Sequence, residues 1–301
     1  MNGKLWNEES KAAYLSLVPS LIIFLVFIAF PILYSLYLSF HEWSLLSPGK
    51  SFVGLDNYRE VFTSRETRLA LKNTLYYSLG AVPLLAAVSL GLALLLQGRR
   101  RGVELYRTVL FTPAVLSSVV VALLWSWVFD PHFGLFNHLL SRVGVRGPGW
   151  LADPRWAMPA VILTTLWKYV GYYMVIFVAG LQGIPRAYYE AAAIDGAGPV
   201  RRLWSITLPL LRRTTAFVLV VATIQSFQVF GLIYVMTGGG PMGSTSVVVH
   251  YLYQEAFEFF RMGYASAIAW VLFLIIFVLS FIQLRTVGRR GRGWKREGAI
   301  R

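Results

Sequence analysis

Six stretches of this chain are apolar over lengths that suit a lipid bilayer: Leu15–Phe40, Asn73–Gln97, Thr108–Phe129, Met158–Leu181, Ala216–Met236 and Tyr264–Leu284. At about 1.5 Å per helical residue, each can cross roughly 30 Å of hydrocarbon. In that medium a backbone amide must find its partner inside the segment, so each stretch is expected to be a helix. The charged fraction of 14% agrees, because soluble domains carry about a quarter. The reading is an all-α integral membrane protein with six transmembrane helices, forming a single domain over residues 1–301. The first stretch is too long for a secretory leader and has no small-x-small cleavage site ahead of a soluble domain, so it is expected to remain as a span.

Lysine and arginine set the orientation. The N-terminus, second loop, fourth loop and C-terminus together hold 18 of them, and the three alternate loops hold 9. Placing the richer side in the cytoplasm puts both termini there, along with the Arg99-Arg100-Arg101 cluster and the loop around Glu190. The first outer loop holds Lys50, Arg59, Arg65, Arg68 and Lys72, but it is long and intersperses them with Glu42, Asp56, Glu60 and Glu66. The net charge of +14 and the tail of Arg289, Arg290, Arg292, Lys295 and Arg296 are read as anchoring against anionic headgroups, not as nucleic-acid binding.

Within the second span Ala87 and Gly91, and Ser89 and Ala93, have the small-xxx-small spacing that lets helices approach closely in lipid. The turn at residues 52–58 should feed a short amphipathic helix with Val61 and Phe62 on its apolar side. Residues 246–260, after the Gly238-Gly239-Gly240-Pro241 turn, are long enough for a further helical excursion.

Residues 185–212 carry the most informative pattern. Pro185 suits a first helical turn, nothing from Arg186 to Asp195 breaks a helix, and Gly196 is placed to end one in the left-handed region. Gly198 and Pro199 then open a second short helix through Arg201, Arg202, Leu203 and Trp204 toward Leu208 and Pro209. The result is a helical elbow.

Glu190-Ala191-Ala192, Asp195-Gly196 and the Ile206-x-Leu208-Pro209 end of this segment resemble the EAA loop of binding-protein-dependent ABC importer permeases. Tyr106-Arg107-Thr108, residues 131–137 and 167–182, Thr237-Gly238-Gly239-Gly240-Pro241 and residues 262–267 resemble the carbohydrate-type members, the maltose and multiple-sugar permeases. The resemblance implies a type I ABC importer permease fold, with Glu190, Ala191, Ala192, Asp195, Gly196, Ile206, Leu208 and Pro209 docking on a cytoplasmic ATPase. It also implies several partners: a second homologous permease, completing a heterodimer; two ATP-binding subunits; and an extracytoplasmic solute-binding protein.

The chain itself offers no catalytic machinery. Gly49-Lys50-Ser51 ends like a phosphate-binding loop, but Ser44 stands where the first glycine belongs. There is no cysteine, no zinc-protease or serine-hydrolase motif, and His41, His132, His138 and His250 are scattered over outer loops. No cofactor or metal is expected in this chain, and ATP with magnesium falls to the partner ATPases.

Candidate path residues lie in the fourth and fifth spans. Lys168 sits in mid-span, where it is costly, and reads either as part of the path or the seam with a partner permease, or as snorkelling outward or bonded to a carbonyl. Gln225 and Gln228 are three apart, with Val221 and Leu232 completing their face. Trp167, Tyr172 and Tyr173 lie at similar depth, and amides with aromatic faces suit hydroxyl-rich ligands. Packing through interhelical hydrogen bonds is the plainer reading.

The expectation is a non-catalytic pore subunit of a sugar importer in the bacterial cytoplasmic membrane. A glycerol-3-phosphate importer is the near alternative, and only Lys168 speaks for a phosphate path. An ion-coupled secondary transporter would instead show an inverted repeat, and none is evident.

Overall fold

The computed structural model describes residues 8–46, 49–98 and 101–289, with side chains described between 14 and 286. Arg99, Arg100 and the tail from Arg290 lie outside the described residues. The elements run α1 (Glu8–Phe24), a π turn (Leu25–Ala29), α2 (Phe30–Ser39), β1 (His41–Trp43), β2 (Lys50–Phe52), α3 (Asp56–Thr63) and α4 (Arg65–Leu95). The chain continues through α5 (Val103–Val115), α6 (Ser118–Val128), α7 (Leu135–Arg142), α8 (Pro154–Gln182), α9 (Arg186–Ile194) and α10 (Pro199–Arg202). After a π turn (Leu203–Thr207) follow α11 (Leu208–Phe227), α12 (Gly231–Met236), α13 (Val248–Tyr253), a third π turn (Gln254–Glu258) and α14 (Met262–Arg289).

Five helical segments are long and apolar enough to cross a membrane: Tyr14–Ser39, Arg65–Leu95, Pro154–Gln182, Pro199–Phe227 and Met262–Thr286. The sixth candidate is a bent pair, α5 and α6, which meet at 101° and together have the length and apolar character of one span. Here the structure differs from the straight Thr108–Phe129 helix expected. Leu116 and Ser117 are both extended, at ψ 145° and 139°, and Ser117 Oγ caps α6 by accepting the Val119 N–H. The fifth span also differs. It begins at Pro199 and ends at Phe227, so Gly231–Met236 is a separate helix instead of the continuation to Met236 that was expected.

The chain divides into two compact units. The first holds residues 1–64 and 252–271. Its β1 and β2 pair antiparallel, with His41 opposite Phe52, a small departure from an all-α chain. Lys50 contributes to no phosphate loop: its ammonium donates to the Tyr34 hydroxyl and lies 4.6 Å from the Trp43 ring centroid. Helix α3 buries Asn57 and Val61, and Asn57 Nδ2 donates to the Ser39 and His41 carbonyls at 2.9 and 3.0 Å. Phe62, expected on the same apolar face, is exposed instead. Arg261 bridges Glu60 at 2.6 Å and Glu255 at 3.3 Å. Its partial burial opposes the charge, but the Glu60 hydrogen bond and the two carboxylates more than offset that and raise its pKa.

The second unit, residues 65–251 and 272–301, holds the interior of the bundle. One buried cluster gathers Tyr77, Val121, Trp125, Phe129, Met158, Val161 and Ile233. Another gathers Leu85, Tyr173, Phe177, Leu181, Leu211 and Val218. Lipid offers no hydrophobic drive between helices, so close backbone approach and interhelical hydrogen bonds must hold them together. Both are present. A Cβ on Gly171 would sit 1.9 Å from the Leu110 carbonyl oxygen, so α8 crosses α5 with only a hydrogen between them. Ser89 and Ala93, one of the two small-residue pairs, are fully buried, and Ser89 Oγ donates to the Val170 carbonyl at 2.8 Å. The other pair, Ala87 and Gly91, does not share that packing: Ala87 is exposed and nothing lies within 4 Å of a Cβ on Gly91. Asn73 and Thr74 tie the start of α4 to the loop after α12, through the carbonyls of Gly243 and Ser246 and the N–H of Val248.

Candidate functional site

Two places in the second unit carry the residues the sequence singled out. The first is the elbow between α9 and α11. Helix α9 ends in a Schellman motif, in which the Ala197 N–H donates to the Ala192 carbonyl at 2.8 Å and the Gly196 N–H to that of Ala193 at 3.1 Å. The motif needs a left-handed residue at its turn, and Gly196 has φ +74°. Gly198 and Pro199 open α10 as expected. The second arm is not a short helix, however. It passes through the π turn directly into α11. Pro209 accounts for the π turn, because its ring would clash with a carbonyl one turn back and the wider turn moves that carbonyl aside.

The elbow is stiff. The hydroxyls of Tyr189 and Thr207 lie 3.0 Å apart, joining its two arms, and Arg202 Nε donates to the Ala197 carbonyl at 2.6 Å. Its base is anchored by buried Leu181, Ile184 and Leu211. Its outer surface is open: Glu190, Ala191, Asp195, Gly196 and Pro209 are exposed, and Ala192, Ile206 and Leu208 half-buried. Sequence reasoning gave no contact role to four exposed apolar side chains there, although it placed Trp204 on the second arm. Tyr188, Ile194, Val200 and Trp204 are between 51% and 87% exposed, which marks a face built for contact, since soluble surfaces rarely cluster such groups. Their signal was available as large apolar residues on an otherwise polar loop.

The second place is a cavity of about 330 Å³ among α4, α8, the start of α6 and the end of α11. It is lined by Tyr77, Ser118, Thr165, Tyr169, Tyr173, Gln225, Ser226, Gln228 and Phe230, among others, and no charged side chain contributes. The Tyr173 hydroxyl donates to Gln225 Oε1 at 3.0 Å, and the Tyr77 and Thr165 hydroxyls lie 2.8 Å apart. These groups can each give or take further hydrogen bonds around an apolar ring face, the chemistry that grips a polyhydroxyl ligand.

The structure therefore brings together Tyr173, Gln225 and Gln228, although Gln228 caps α11 instead of sitting on its face. Trp167, Lys168 and Tyr172 do not line the cavity. Lys168 is buried and donates to the Leu116 carbonyl, the one left open at the α5–α6 break, so its geometry is that of the carbonyl-bonded alternative. Trp167 packs against Trp125, ring centroids 5.6 Å apart, and Tyr172 packs edge-on against Tyr173. Among the lining residues missed, Thr165 and Tyr169 stand eight and four positions before Tyr173. That is a helical stripe legible in the sequence.

Comparison with known proteins follows the same lines. The family profile described as binding-protein-dependent transport system inner membrane component matches residues 83–291. The trehalose/maltose transport system permease protein MalF of Thermococcus litoralis is 35% identical over 292 residues, 96% of this chain and 97% of that protein. The sn-glycerol-3-phosphate transport system permease protein UgpA of Agrobacterium fabrum is 37% identical over 284 residues, 92% of this chain and 94% of that protein. A chain of the bacterial alginate ABC transporter, solved in complex with an alginate pentasaccharide-bound periplasmic protein, superposes with a TM-score of 0.81 at 25% identity, covering 93% of this chain and 96% of that one. With an elbow between its fourth and fifth spans, a profile match over more than half its length and similarity to these permeases from end to end, this membrane-spanning chain belongs to the binding-protein-dependent transport system inner membrane components and has the type I ABC importer permease fold.

Proposed function

We propose that this chain is the non-catalytic pore subunit of an ATP-driven importer for neutral sugars, moving mono- or oligosaccharides into the cytoplasm. The observation that carries the reading is the braced elbow with its exposed apolar face, in a chain of this family. Partner ATPases would grip Tyr188, Ile194, Val200 and Trp204 in a cleft, with Glu190 oriented toward donors on the cleft wall. Because α10 runs into α11 through the π turn, a push on the elbow passes directly into the fifth span and so to the cavity at its far end. A second related permease would complete the pore, and an extracytoplasmic binding protein would deliver the solute. The count of basic residues supports both termini and the elbow facing the cytoplasm.

Sugar as cargo is supported by the similarity to a trehalose/maltose permease and by the uncharged, hydroxyl- and amide-lined cavity. A glycerol-3-phosphate cargo is favoured by the 37% identity to a permease for that solute. A phosphate path calls for cations, and none lines the cavity. The test is uptake into cells carrying the complete system. ATP-dependent accumulation of labelled trehalose or maltose-type sugars, with no accumulation of glycerol 3-phosphate, is expected; the reverse preference would overturn the neutral-sugar reading.

A further inference from the structure

At the root of the elbow lies a second, larger recess of about 810 Å³, whose lining includes Glu104, Arg107, Arg186 and Tyr189. It is separate in its lining from the cavity among the spans. Its walls are the end of α4, the first turns of α5 and α9, and the end of α8. Arg107 is held there by its Nε, which donates to the Leu96 carbonyl at 3.1 Å at the end of α4. The Nη1 edge of that fork has no partner among the described residues, and neither does the Arg186 guanidinium. A guanidinium tethered at Arg107 and an exposed one at Arg186, with two helix N-terminal turns in the same wall, make a place for a phosphate group. Glu104 is the informative exception. A site for a plain anion has no use for a carboxylate, whereas a group carrying both a phosphate and an ammonium needs one.

We propose that this recess binds the headgroup of a zwitterionic membrane phospholipid, a phosphoethanolamine, with its phosphate on Arg107 and Arg186 and its ammonium on Glu104. The lipid source, as opposed to a soluble phosphate ester, is indicated by position and surroundings. The recess sits where the second and fourth spans end, and Leu95, Leu105 and Tyr106 beside it are between 63% and 79% exposed, offering a bed for acyl chains. Tyr189, in the wall, also braces the two arms of the elbow through Thr207. A bound headgroup therefore stiffens the elbow's root.

The experiment is native mass spectrometry of the full-length chain released from nanodiscs holding equal amounts of phosphatidylethanolamine, phosphatidylglycerol and phosphatidylcholine. Wild type is expected to retain phosphatidylethanolamine about tenfold over phosphatidylcholine, the difference made by one charge-assisted contact. R107Q/R186Q loses the retained lipid, while E104Q keeps a lipid but shifts from phosphatidylethanolamine to phosphatidylglycerol. The E104Q arm reads the site even where the double variant folds poorly, since it removes a charge that has no ion pair among the described residues. Equal retention of all three lipids by wild type, or no shift in E104Q, overturns the proposal. Release of the retained lipid by millimolar inorganic phosphate would reassign the site to a soluble phosphate and overturn the lipid source. Displacement of the lipid on adding a purified ATPase subunit would make the recess part of a protein interface and likewise overturn it.

Discussion

Lys168 shows how a single residue can mislead in a membrane chain. A lysine in mid-span reads as functional because isolating its charge in hydrocarbon is costly. The sequence does not display the carbonyl that α5 leaves open at Leu116, which supplies that lysine with a partner. Lys168→Met keeps most of the stem and removes the donor, leaving the Leu116 carbonyl unsatisfied at a cost of about 1–3 kcal/mol. The expected outcome is a lower melting temperature in detergent with the substrate KM unchanged; a changed KM at unchanged stability would place Lys168 on the path. Asp153 offers a pH-dependent case outside the spans. The Arg155 backbone N–H, then the Arg155 side chain, lower its pKa, and it caps α8 by accepting that N–H at 2.9 Å. A lowered folded-state pKa gives stability that is present above the ordinary carboxylate range and lost as pH falls through the folded value. Wild type should therefore melt above Asp153→Ala at neutral pH, with the gap closing on acidification below that range.

Among the elements, helix identity was legible because the apolar runs are long, and the elbow was legible because its glycines and prolines have positional meaning. The breaks were less so. Leu116 and Ser117 are ordinary residues in an apolar run, and what bends the chain there is their extended backbone together with the cap from Ser117. The end of α11 at Phe227 was hidden in the same way, since Gln228 continues the helical pattern by spacing alone. Close packing was legible only in part: Ser89 and Ala93 pack, while Ala87 and Gly91, with the same spacing, do not. Gly171 carries the tightest crossing, and Gly171→Val would force α8 off the Leu110 carbonyl, beyond the roughly 1–3 kcal/mol typical of overpacking. Loss of the membrane-inserted, monodisperse protein in fluorescence-detected size exclusion is the expected result; normal folding would contradict so close a crossing.

For the molecule as a whole, one continuous path of structure links an exposed surface to an interior cavity. The elbow is braced at Tyr189 and Thr207, its second arm flows into α11, and α11 delivers Gln225, Ser226 and Gln228 to the cavity wall. That continuity is the physical basis for the proposed coupling, in which work done on the elbow by an ATPase changes the cavity's exposure. The cargo chemistry rests on the lining, the motor on the elbow, and the two can be tested apart. The most direct measurement is solute uptake into proteoliposomes holding the complete transporter with its binding protein, comparing wild type with Ile194→Asp and Gly196→Pro. The account predicts uptake in wild type only with internal ATP, and a loss of about tenfold or more in both variants at unchanged membrane content, as for truncation of a buried interface anchor. Undiminished uptake in both variants, or uptake by this chain alone without an ATPase, would contradict it.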